Sequence, residues 1–189
     1  MNFENDIKNC INVLKTGGII LYPTDTIWGL GCDATNKTAV AKIYSLKKRA
    51  ENKSMIILLN NKKEIKNYCK APSEAIKKIL GNETRPLTVI YPDAKNLAIN
   101  LIGVDGTVAI RIVKDSLCEA IINLFRKPIV STSANFSGDR SPKFFKEISP
   151  EIINGVDYVV NYRRDDNVEK KPSKILLWKN DDEIVVIRE

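Results

Sequence analysis

No histidine occurs anywhere in the 189 residues. A histidine general base, a His–Cys nucleophile pair and a histidine-rich metal site are therefore excluded, and with them most hydrolase and zinc-enzyme chemistry. Cysteine is sparse. Cys10, Cys32, Cys69 and Cys118 stand far apart with no CxxC pair, the usage expected of structural thiols. Long apolar runs are missing too. The longest, around Ile19–Tyr22 and Met55–Leu59, are strand-sized, well short of the ~20 residues a membrane span needs. The start, "MNFENDIKNC", lacks the basic-then-apolar layout of a signal peptide, so a cytoplasmic location is expected by default. Neither familiar phosphate loop is present: there is no GxxxxGK[ST], and "GLGCDA" lacks the third glycine of a dinucleotide loop.

What is present is a globular composition, 43% hydrophobic and 28% charged, in a chain of one-domain length. A single domain over residues 1–189, with no additional C-terminal domain, is expected. Thirty Lys and Arg against 23 Asp and Glu leave a charge of +7. That balance suits nucleic acids, nucleotides or other anions. It equally suits a Lys-rich composition, in which runs such as "NKKEIKNYCK" are solvated faces.

The element order reads as mixed α/β. Phe3, Ile7, Ile11 and Leu14 recur at helical spacing, and Gly17-Gly18 ends that helix. A strand over Gly18–Tyr22 follows. Then comes a helix capped by Thr35 or Asn36 that carries Val40, Ile43 and Tyr44 on one face. Strands are predicted at Met55–Leu59, Leu87–Tyr91, Thr107–Val113 and Pro128–Ser131, with helices after Ser73 and over Ser116–Phe125. Weaker helical material lies around Phe144–Ile153, and strands near Tyr158–Tyr162, Ile175–Trp178 and Ile184–Ile187 close the chain. Arg163–Lys171 is a polar connection or lid candidate. Because not every strand is followed by a helix, the expected fold is a single-domain open, twisted, mixed sheet with packed helices, unlike a regular doubly wound sheet.

Four patches can carry chemistry, and each has an ordinary reading beside the functional one. In "YPTDTIWGLG", turns at Gly29 and Gly31 can admit a ligand while Thr24, Asp25 and Thr26 offer hydroxyls and a carboxylate. The same residues make a plain exit from a strand. In "LKKRAENK", Lys47, Arg49 and Lys53 can converge on an anion, or simply complement a helix C-terminus. In "DGTVAIR", alternation puts Thr107, Ala109 and Arg111 on one face. The planar fork of Arg111 suits a carboxylate, a phosphate or a buried ion pair. In "PIVSTSANFSGDRSP", a core strand empties into five hydroxyl residues (Ser131, Thr132, Ser133, Ser137, Ser141) and Asn135, able to wrap an oxyanion or to form an ordinary polar loop. Together the patches gather hydroxyls and cations at strand ends without a near-neutral base. That equipment positions polyanions for phosphoryl or nucleotidyl transfer.

"YPTDTIWGLGCDA", "LKKRAENK", "TVAIR" and "STSANFSG", in this order, resemble the YrdC-like family, whose members include the threonylcarbamoyl-AMP synthases. The likeness runs from about Gly17 to Ser141, and "PSKILLW…VVIRE" is similar to the family's closing strands. It implies an open twisted α/β sheet with a positively charged concave face. The implied activity is nucleotidyl transfer joining L-threonine, bicarbonate and ATP, with Mg²⁺ assisting, into threonylcarbamoyl-adenylate and pyrophosphate for tRNA modification. Contact with tRNA or with tRNA-modifying proteins is implied as well.

Position by position, the resemblance places Thr26, Arg111, Ser131 and Ser173 around threonine, with Thr24 near Thr26. It places Lys47, Arg49, Lys53, Thr107, Ser133, Asn135, Ser141 and Arg188 on the ATP side, with Lys47 and Arg49 closest to the chemistry and no residue assigned to a metal. The chain departs from the family pattern at Ala50, Ser54-Met55, Arg85, Val113 and Leu177, where the family carries Pro, Pro-Leu, Gly, Pro and an acidic residue. Two other readings remain open: a non-catalytic paralogue binding double-stranded RNA or tRNA, and a carbamoyl-adenylate former like the YrdC-like module of hydrogenase-maturation proteins.

Overall fold

Residues 3–50, 55–180 and 183–189 are described by a computed structural model. Among these residues nine strands form one sheet in the order β7-β1-β2-β6-β3-β5-β4-β8-β9. They are β1 (Ile20–Tyr22), β2 (Gly29–Gly31), β3 (Ile56–Leu59), β4 (Leu87–Tyr91), β5 (Val108–Ile112), β6 (Ile129–Ser133), β7 (Tyr158–Val159), β8 (Lys174–Asn180) and β9 (Glu183–Arg188). The β1/β7, β3/β5 and β4/β8 pairs are parallel and the other five are antiparallel, the mixed sheet expected.

Among the described residues five α-helices pack on this sheet: α1 (Glu4–Lys15), α2 (Lys37–Leu46), α3 (Glu74–Asn82), α4 (Ser116–Phe125) and α5 (Pro150–Asn154). Their starts follow local chemistry. The side chains of Asn36, Ser73 and Asp115 each accept a backbone N–H from the first turn of α2, α3 and α4. Gly17, at φ +72°, lets the chain leave α1 in a left-handed turn that an L side chain would resist.

Strand alternation then divides the apolar residues between two cores. On one face, Ile20, Tyr22, Leu58 and Ile129 pack against Ile11 and Leu14 of α1 and Leu117 and Ile121 of α4. On the other, Leu21, Leu30, Ile57, Val89, Ile110 and Val130 meet Val40 and Ile43 of α2 and Ile76 of α3. No helix of the described residues is long and apolar enough to cross a membrane.

One element differs from the sequence reading. Gly29 and Gly31 are not turn residues; they belong to β2, neither has a positive φ, and Gly29 alone of the two lines the cleft described below. The missing side chain of Gly31 serves close packing. A Cβ on Gly31 would lie 2.6 Å from the ring of Tyr22 and 2.9 Å from the Val130 carbonyl oxygen. The Tyr22 ring fills that space, and its hydroxyl donates to the same carbonyl at 3.1 Å. β6 also runs two residues further than expected, to Ser133, because β2 is there to pair with it (Gly29 with Ser133, Leu30 with Thr132).

Candidate active site

Register brings the functional side chains onto one face of the sheet. Arg111 pairs with Leu58 on one side and Thr88 on the other, Ser131 pairs with Ile56, and Ser133 with Gly29. Directly paired residues point the same way, so Arg111, Thr88, Ser131 and Ser133 share the face that α1 and α4 cover elsewhere. Here that face opens into a cleft of about 250 Å³. Of the residues expected around threonine, Thr26, Arg111, Ser131 and Ser173 all line it; of those on the ATP side, Arg49, Ser133, Ser141 and Arg188 do. The cleft wall holds three arginines and no Asp or Glu among the described residues, an arrangement that attracts anions.

Arg111 is the deepest of the three. Its side chain is 4% exposed and lies 3.2 Å from Asp25 Oδ1 through Nη2. That contact is an ion pair without hydrogen-bond alignment. Arg111 Nε and Nη2 have no hydrogen-bond acceptor among the described residues, although a buried guanidinium ordinarily satisfies its donors. Arg188 arrives from β9 and donates through Nε and Nη2 to the Ser173 carbonyl oxygen at 2.9 and 2.7 Å. Ser173 is thereby fixed, and its hydroxyl bonds to Thr88 Oγ1 at 2.8 Å. Burial, and then the neighbouring Arg111 charge, lower the pKa of Arg188, a sign that two like charges face one space.

The Pro23–Trp28 turn supplies the opposite wall. Thr24 Oγ1 donates to the Ile27 carbonyl at 2.8 Å and lies 2.9 Å from Thr26 Oγ1. Since the Thr24 proton is directed to Ile27, the Thr26 hydroxyl donates to Thr24 and keeps its lone pairs for an incoming donor.

Three expected site residues sit elsewhere, each for a physical reason. Lys47 does not line the cleft. It is the C-cap of α2, and Lys48 at φ 50° turns the chain sharply after it. Its ammonium is buried and donates to the Ser133 carbonyl and, at 2.6 Å, to that of Asn135; its own carbonyl accepts Ser137 N–H at 2.8 Å. Burial, with Arg49 adding repulsion, lowers its pKa to about 8. Asn135 does not line the cleft either: its amide donates to the Phe136 and Asp139 carbonyls and ties the loop. Thr107, just before β5, turns its hydroxyl to Asp105 Oδ1 at 2.7 Å, outside the cleft. Lys53 and Ser54 lie outside the described residues.

Among the departures, Arg85 reaches Glu189 at 3.3 Å and lines a separate shallow hollow, while Val113 joins the core against α4. The sequence reading missed the apolar wall of Ile27, Met55, Ile56 and Ile175, and the Thr88–Ser173 hydroxyl pair. Alternation marks Ile56 and Ile175 as sheet residues, but only the cross-strand register shows which face they share with Arg111.

With this geometry in view, the relatives can be named. A family model for the Sua5/YciO/YrdC proteins, described as "Telomere recombination", matches residues 12–189. A protein of Wigglesworthia glossinidia brevipalpis named threonylcarbamoyl-AMP synthase is 37% identical over 155 residues, covering 80% of this chain and 79% of its own. The E. coli YciO structure superposes with a TM-score of 0.85 at 22% identity, covering 98% of this chain and 89% of that one. P. abyssi Sua5, solved with L-threonine, gives 0.86 at 22% identity over 98% of this chain, which spans 54% of the Sua5 chain. The sheet, the cleft on its open half and the near full-length match together place the chain in the Sua5/YciO/YrdC family.

Proposed function

We propose that the protein is an L-threonylcarbamoyladenylate synthase, a nucleotidyltransferase that forms threonylcarbamoyl-AMP and pyrophosphate from L-threonine, bicarbonate and ATP for tRNA modification in the cytoplasm. The observation that carries the reading is the Arg111 fork: a buried guanidinium on the cleft wall whose Nε and Nη2 lack hydrogen-bond acceptors among the described residues. A carboxylate is its natural partner. The substrate carboxylate rests on Arg111, its amine approaches the lone pairs of Thr26, and its methyl group meets Ile56 and Ile175. Arg49, Arg188, Ser133 and Ser141 receive the triphosphate.

The amine attacks the bicarbonate carbon, and loss of water leaves a carbamate. A carbamate oxygen then attacks the α-phosphorus in line, and the bond to the β-phosphate oxygen breaks to release pyrophosphate. No step needs a side chain of near-neutral pKa. Alignment and charge stabilisation suffice, which fits a chain without histidine. ATP enters as its Mg²⁺ complex, the metal carried by the phosphates; no cluster of three or more His, Cys, Asp or Glu among the described residues is placed to hold an ion. Arg111 and Ser131 are buried in a cleft sized for small molecules, a placement that contact with an RNA backbone does not call for.

The test is pyrophosphate release by purified protein with Mg²⁺, ATP and bicarbonate, comparing threonine with serine. Threonine-dependent release is expected, with serine weaker by about 10- to 100-fold for its missing methyl. No threonine-dependent release sinks the reading.

A further inference from the structure

Asp25 does not line the cleft, yet it holds the residue on which the reading above depends. Its carboxylate is 7% exposed and lies within 3.2 Å of Arg111 Nη2. The other oxygen accepts the backbone N–H of Lys114 at 3.3 Å, three residues further along the chain. Asp25 thus touches the β5 segment at two points, a side chain and a backbone amide. The hydroxyls of Thr24 and Thr26 turn the other way, to each other and to the Ile27 carbonyl, so the turn is braced independently of Asp25. Arg188 lines the same cleft, and its charge is disfavoured by that of Arg111. Arg111 therefore has an attractive neighbour in Asp25 and a repulsive one in Arg188. Left without Asp25, a buried guanidinium facing a second one would swing toward any acceptor within reach.

We infer that Asp25 is a positioning residue for threonine binding: through its ion pair with Nη2 it anchors the Arg111 guanidinium at the β1–β2 turn, so that Nε, which has no acceptor among the described residues, is presented to the substrate carboxylate. The inference rests on the cleft being a threonine site. Asp25 touches no substrate; it acts only through Arg111, and the ATP side of the cleft is held by other contacts, those of Arg188 with Ser173 and of Lys47 with the Ser133–Ser137 loop.

The test is Asp25→Asn in the full chain, which keeps the shape and an acceptor for Lys114 N–H while removing the charge. The KM for threonine should rise at least about tenfold, with the KM for ATP and kcat at saturating threonine changing less than about threefold. Asp25→Glu, which restores the charge, should recover part of the threonine KM. A merely structural role would lower the thermal midpoint and the active fraction while leaving both KM values alone, or raise both together; either result overturns the inference. An active wild type with an unchanged threonine KM in Asp25→Asn removes the inference alone. A wild type showing no threonine-dependent pyrophosphate release removes the functional reading and this inference with it.

Discussion

One face of the sheet carries two regions that differ only in what lies over them. In β6, Ile129 is sealed beneath α1 and α4, and two and four residues on, Ser131 and Ser133 face the cleft. In β3 the change runs the other way, from Ile56 on the cleft wall to Leu58 in the helix-covered core. The strand geometry is the same throughout. Where helices cover the face, apolar burial supplies stability; where they stop, the same pleat aims arginines and hydroxyls at a ligand. Damage to the covered region should therefore cost stability alone, whereas damage to the open region should cost activity whether or not stability also falls.

The largest effect should come from Arg111→Ala in the open region. Removing a charge-assisted fork from a desolvated site should lower threonine-dependent kcat/KM by about a thousandfold. Because Asp25 is left buried without its counter-ion, denaturant titration should also show a loss of about 3–5 kcal/mol. Asp25→Asn combined with Arg111→Met should recover stability but no activity. If that pair were active, the open region would not be a carboxylate site. In the covered region, Ile121→Ala removes a fully buried α4 side chain. Urea unfolding should report a loss of about 2–5 kcal/mol with both KM values unchanged.

Lys47 sits at the border and sharpens the contrast through pH. Its pKa falls from 10.5 to about 8 on burial, so between those values the unfolded chain binds more protons than the folded one. By linkage, stability from this group rises with pH across that window and is lowest below it. The unfolding free energy of the wild type relative to Lys47→Met should climb by up to about 3 kcal/mol from pH 7 to pH 10.5. A flat difference would mean that the ammonium is not buried against the loop carbonyls. The smallest effect belongs to Gly31→Ala, where the Tyr22 ring must shift to admit a Cβ 2.6 Å away. A melting curve should show a cost of about 1–3 kcal/mol, against no loss for Gly81→Ala, whose Cβ meets nothing within 4 Å.

What could be read without coordinates was whatever local chemistry decides. α4 runs from Ser116 to Phe125 as its apolar spacing implies, capped by Asp115. Arg111 stood out as a charge in an apolar strand, and it does line the cleft. β2 was illegible because Gly-Leu-Gly has no intrinsic preference for a strand; it extends only because β1 and β6 flank it. Lys47 and Arg49 look alike in a row of cations. A left-handed residue between them sends one inward to carbonyls and the other to the cleft wall. The pairing of Asp25 with Arg111 spans 86 positions in the chain and leaves no periodic trace.

β6 is paired on both sides, with β2 over its last residues and β3 over its first, and among the described residues it alone joins the amino-terminal hairpin to the rest of the sheet. Its amides should accordingly be among the slower in the protein to exchange with deuterated solvent, since an interior strand gives them up only when a ladder with a neighbouring strand opens. Ser131 and Ser133, which face the cleft, would then ride on an interior strand of the sheet, and any breathing that opens the cleft falls to the surrounding loops.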